Sequence, residues 1–89
     1  MRAIVTVLGK DQVGIIANVC TLLAENGINI LDISQTVLQE YLTMVMLVDI
    51  SGCPLAFAEL SELLNDRGEQ SQLSVRIQRE DIFETMHRI

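Results

Sequence analysis

Cys20, Cys53 and His87 are the side chains of this 89-residue sequence best suited to nucleophilic, redox or metal chemistry. Their spacing argues against all three. Catalysis by His87 would need a second group to orient or share its proton, and no partner stands near it in the sequence. No His, Cys and Asp cluster has metal-ligand spacing, so neither a metal nor a cofactor is expected. Cys20 falls on an apolar helical stripe, where a thiol acts as a small hydrophobe. Cys53 lies in the turn Ser51-Gly52-Cys53-Pro54 ahead of a helix, where the helix dipole favours a thiolate. It has no accompanying base or second thiol, and an enzyme built on it is the weakest of three readings. Asp66, Glu69, Glu80, Asp81 and Glu84 read as solvated charge. No phosphate-binding glycine loop occurs. The chain is expected not to be an enzyme.

The glycine in Gly9-Lys10-Asp11-Gln12-Val13-Gly14-Ile15-Ile16 carries more information. The apolar periodicity predicts a helix over Gln12–Asn26, with Asp11 as N-cap and Gly14 in the first turn. Glycine costs about 1 kcal/mol against alanine inside a helix. Two readings account for it. Either the missing Cβ lets a ligand reach the unpaired amides of the first turn, where the dipole favours a carboxylate, or it permits close packing of helix on strand.

The elements that position these residues follow from hydrophobic period. Arg2–Leu8 is apolar on both faces and reads as a central strand. The first helix presents Val13, Ile16, Ala17, Cys20, Leu23 and Ala24 as its core stripe, and Asn26-Gly27 stops it. Ile28–Gln39 and Tyr41–Ile50 read as two strands, with Leu42, Met44, Met46, Val48 and Ile50 alternating in the second. Pro54 opens a second helix with Phe57, Leu60, Leu63 and Leu64 on one side, ending at Arg67-Gly68. Leu73, Val75 and Ile77 make a last strand. Residues 81–89 are expected to form a short C-terminal helix with Ile82, Phe83, Met86 and Ile89 clustered. Two right-handed βαβ crossovers then give a ferredoxin-like α+β sandwich, a four-stranded antiparallel sheet with two helices on one face. Ile4, Leu8, Val45 and Leu47 would lie on the bare face, to be covered by the tail or by a partner. Ile15, Val19 and Leu22 form a second apolar stripe on the first helix. It marks either a helix deep in a crowded core or a subunit interface. So small a core favours the interface.

Charge and composition narrow the partners. The net charge of −6 disfavours nucleic acid and anionic membrane surfaces, both of which need a cationic footprint. Two cysteines in apolar settings read as reduced thiols, pointing to a cytoplasmic protein. Met1-Arg2 runs straight into a strand with no signal-peptide pattern, and no apolar run reaches membrane-span length.

The stretch Asp11-Gln12-Val13-Gly14-Ile15-Ile16-Ala17, followed by Leu22-Leu23-Ala24-Glu25-Asn26-Gly27-Ile28-Asn29-Ile30, resembles the ACT domain. The similarity is to the branch with an Asp-x-x-Gly-Ile/Leu-x-Ala loop and a Gly-x-Asn-Ile strand start. It extends over nearly the whole chain to short stand-alone bacterial and archaeal ACT proteins. Related modules stand at the start of formyltetrahydrofolate deformylases and of glycine-cleavage repressors. The resemblance implies an ACT domain over residues 1–80 with a tail over 81–89. It implies a non-catalytic regulatory module, a homodimer or higher homo-oligomer, that senses a small molecule such as an amino acid at the pair interface. By position, Asp11, Val13, Gly14 and Ile15 form the binding loop and Asn29 the contact at the strand start. Many relatives carry Pro before the loop glycine, where this chain has Val13, which leaves the loop less rigid. The alternative is an assembly module that regulates a partner enzyme or transcription factor without a small ligand.

Overall fold

The computed structural model describes residues 1–10 and 14–80, the side chains of Ile15 and Ile16 apart. Its elements run β1 (Arg2–Lys10), α1 (Ile15–Glu25), β2 (Asn29–Leu38), β3 (Tyr41–Asp49), α2 (Phe57–Gln70) and β4 (Ser74–Arg79). The four strands form one antiparallel sheet in the order β2-β3-β1-β4. This is the ferredoxin-like arrangement expected from the sequence. The proposed tail helix and His87 lie outside the described residues.

Period-two patterning sets the core. Ala3, Val5 and Val7 on β1, Leu42, Met44, Met46 and Val48 on β3, and Val75 and Ile77 on β4 are all buried on the helix face. A shift of one residue would turn every one of them to the other side, so this face pins the register. On the opposite face Ile4 pairs with Leu47 and Thr6 with Val45, and all four are half-buried. Leu8 is exposed. The apolar strip on that face is confined to the two central strands. Asp32, Ser34 and Thr36 flank it on β2, and Arg76 and Gln78 on β4, by register with those strands.

The helices contribute unequally. α2 buries Leu60, Leu64 and Gly68, one per turn. A Cβ on Gly68 would lie 2.8 Å from Val75 Cγ2 and 3.0 Å from the Leu73 carbonyl oxygen, so glycine there lets α2 settle on β4. That is why α2 runs through Gly68 instead of stopping at it. Pro54 precedes the helix, which starts at Phe57, and Glu59 accepts the Ala56 N–H at 3.2 Å.

α1 departs further from expectation. It buries Val19 and Leu23, and Leu22 packs against the core, whereas Ala17 and Ala24 are exposed and Cys20 is half-buried. The assignment of Val19 to an interface stripe is therefore corrected: Val19 is 5% exposed within its own chain. The physical reason is area. A valine and a leucine release more apolar surface than two alanines, and they decide which way the helix faces. Val13 and the side chains of Ile15 and Ile16 lie outside the described residues.

Both helices end alike. Ile28 N–H reaches the Leu23 carbonyl and Gly27 N–H the Ala24 carbonyl, both at 3.0 Å, with Gly27 at φ 73°. Leu73 N–H likewise reaches Gly68 at 2.7 Å and Gln72 N–H reaches Glu69 at 3.1 Å, with Gln72 at φ 61°. These are Schellman closures, one with glycine at the left-handed position and one with glutamine.

Candidate functional site

Gly14 is the N-cap of α1, with φ 86° and ψ 0°. The expected N-cap was Asp11, with Gly14 inside the first turn; the structure starts the helix three residues later. The first helical hydrogen bond runs from Asn18 N–H to the Gly14 carbonyl at 2.9 Å. Among the described residues no side chain caps the turn, and no acidic residue stands in it. Among the described residues nothing comes within 4 Å of a Cβ built on Gly14, so close packing against them does not account for this glycine. What glycine supplies here is a left-handed backbone and an open approach to the free amides of the first turn. Asp11 and Val13, and the Ile15 side chain, lie outside the described residues.

Asn29 is exposed at the start of β2, opposite Asp49 on β3, which is in turn opposite Arg2 on β1. The loop expected from the sequence to bind a ligand follows Lys10, which pairs with Tyr41 at the far end of the sheet. Eight residue steps along β1 separate the two levels, about 26 Å at 3.3 Å per residue. One chain therefore does not bring Gly14 and Asn29 together. The Asn29 end is closely tied. Asp49 accepts the Ser51 N–H at 2.9 Å and faces the Met1 ammonium at 3.5 Å. The Ser51 N–H first, and then its hydroxyl, hold the Asp49 carboxyl below its ordinary range.

Among the described residues no strand lies beside the outer edge of β2. Every residue from Leu31 to Leu38 is exposed, among them Leu31, Ile33, Val37 and Leu38. A bulge at Leu31 shifts the register, after which Ile33 and Val37 lie opposite the core residues Met46 and Leu42. They are on the helix side of the sheet and are still 41% and 54% exposed. Pattern reading from the sequence missed this patch, since it assigned residues 28–39 to a strand without assigning its faces.

Neither cysteine is placed for chemistry among the described residues. Both are free and half-buried, and Cys53 packs against the core. No group of three His, Cys, Asp or Glu residues in that region could hold a metal ion, and no helix there is long and apolar enough to cross a membrane.

Residues 2–78 match the family profile of the ACT domain. The chain belongs to the ACT domain family. It is 52% identical over 89 residues to a UPF0237 protein of Clostridium acetobutylicum, covering 100% of each chain. It superposes on an ACT domain protein from Streptococcus pneumoniae with a TM-score of 0.83 and 45% identity, over 94% of both chains. A formyltetrahydrofolate deformylase from Pseudomonas syringae shares the fold alone, with a TM-score of 0.78 at 22% identity over 88% of this chain and 27% of that one. The ACT fold is thus a minor part of that longer chain, but nearly all of the two smaller relatives. ACT domains are regulatory modules, and no catalytic family is indicated for this one.

Proposed function

We propose that this ACT domain is a non-catalytic cytoplasmic module that binds a small effector, such as an amino acid, between two copies of the chain and passes the signal to a partner enzyme or regulator. The observation that carries the reading is Gly14, a left-handed helix start at which no described residue caps the turn or fills the space a side chain would take. An effector carboxylate suits the unpaired amides there. Residues 1–80 are the module in this reading and 81–89 an appendage to it.

The second copy follows from the separation of Gly14 and Asn29. Antiparallel pairing of two β2 edges lays the start of one strand beside the end of the other. Asn29 of one copy then arrives at the Leu38 end of its mate, the end at which the Gly14 loop leaves β1. The same pairing buries Leu31, Ile33 and Val37. Asp11, Val13 and Ile15 are the remaining loop contacts proposed for the effector, with Ile15 and Leu22 beside the interface.

Thermal melting with each common amino acid in millimolar excess tests the proposal. An effector at a hundred times its Kd adds about 2.7 kcal/mol, a clear rise in Tm. Gly14→Asn should abolish the rise while the variant still folds, because asparagine tolerates a left-handed backbone and fills the approach. A flat screen together with a stable dimer supports the assembly reading, to which the exposed β2 edge is equally suited.

A further inference from the structure

The two helices do not pack on each other. No Cα of α1 comes within 8 Å of one in α2 among the described residues, although packed helices usually have their axes only about 8–10 Å apart. Between them lies a recess of about 360 Å³. Its apolar lining comes from Val19 and Leu22 on α1 and from Leu73 and Val75 at the start of β4. Buried Gly68 keeps the α2 wall bare, since any side chain there would collide with Val75.

Two opposite charges line the recess from different elements: Glu25 from the last turn of α1 and Arg67 from the last turn of α2. Neither side chain takes part in an ion pair or hydrogen bond among the described residues. An unpaired guanidinium is a ready carboxylate fork, and an unpaired carboxylate accepts an ammonium. The volume is at the small end of ligand pockets, which run from about 300 to 1,000 Å³. It suits a compact molecule and excludes a nucleotide.

We propose that the α1–α2 recess is a second binding site, complete within one chain, for a small zwitterion with an apolar body. Arg67 takes its carboxylate, Glu25 its ammonium, and Val19, Leu22, Leu73 and Val75 its hydrocarbon. This site shares no proposed ligand contact with the Gly14–Asn29 site, and it does not depend on pairing of two copies.

The test is a titration of the full ¹⁵N-labelled chain with L-leucine, followed by amide shifts. Saturable shifts are expected at Thr21, Leu22, Gly68 and Ser71. Arg67→Met keeps the length of the side chain and should weaken leucine about tenfold or more, the usual loss for a charge-assisted bond. Leucine amide, which lacks the carboxylate, and 4-methylpentanoate, which lacks the ammonium, should each bind more weakly than leucine. Both charges are exposed, and an unchanged Tm of Arg67→Met verifies its fold. No saturable shift in the recess, or an affinity unmoved by Arg67→Met, overturns the proposal. Shifts confined to the Gly14 and Asn29 amides overturn it too, while leaving the interface site standing.

Discussion

At position 14 the backbone, not the space around it, sets the cost of substitution. A Cβ would meet no atom of the described residues within 4 Å, but φ is 86°. Side chains in left-handed conformations cost roughly 1–2 kcal/mol. Gly14→Ala should therefore destabilise the apo protein by about 1 kcal/mol, lowering Tm by about 4–8 °C for a domain of this size. The sequence alone suggests the reverse, a gain from helix propensity, because it puts Gly14 inside the helix. Apo melting decides, and a raised Tm would mean that the residue is helical after all. Asp49 supplies a second residue-scale prediction. Its carboxyl is held below the ordinary range by Ser51. A depressed folded pKa stabilises above the unfolded value of about 4, and that contribution is lost as pH falls through the folded value. Asp49→Asn should thus melt below wild type near neutral pH, with the gap closing in acid. A gap that is constant with pH would sever Asp49 from acid stability. The apolar setting of Cys53 was legible from its neighbours. Backbone handedness at Gly14 was not, because a glycine in sequence does not announce the sign of its φ.

Among the elements, strands were easier to read than helix faces. The alternation of Leu42, Met44, Met46 and Val48 allows one inward face, and the sheet adopts it. α1 offers apolar residues all round, so period alone left its orientation open, and Val19 was placed on the wrong side. The α1 start was misread for a related reason: Asp11 satisfies the N-cap preference, but Gly14 takes the position. Helix ends give two further predictions. Gln72 holds at φ 61° the left-handed place that Gly27 holds in α1. Gln72→Gly should stabilise the protein by about 0.5–1 kcal/mol, read as a higher denaturation midpoint at constant m-value. A lower midpoint would show that the glutamine side chain contributes more than its backbone costs. Gly27 is the contrasting case. A Cβ there would come within 2.5 Å of the Gly52 carbonyl oxygen, and φ is 73°. Gly27→Ala thus combines a backbone clash with dihedral strain and should cost more than Gly14→Ala. The two melting curves compare them directly, and equal losses would mean that the Gly27–Gly52 approach relaxes freely.

For the molecule as a whole, the order of elements foretold the sandwich, and the short loop motif foretold the ACT family. The split of the expected ligand residues between opposite ends of the sheet was not legible, because it depends on strand direction and register. That split makes the central claim testable: if the effector sits between copies, Gly14 and Asn29 act from different chains. Gly14→Asn fills the approach to the amides, and Asn29→Asp sets a like charge against a bound carboxylate. Each variant alone should lose effector binding. Mixed and allowed to exchange subunits, they form some pairs in which one site carries both changes and the other carries neither. Calorimetry on the mixture, with the amino acid that stabilises wild type, should recover binding of wild-type affinity that neither variant shows by itself. No recovery from subunits proven to exchange, or wild-type affinity in a protein that light scattering finds monomeric, would contradict a site shared between two copies.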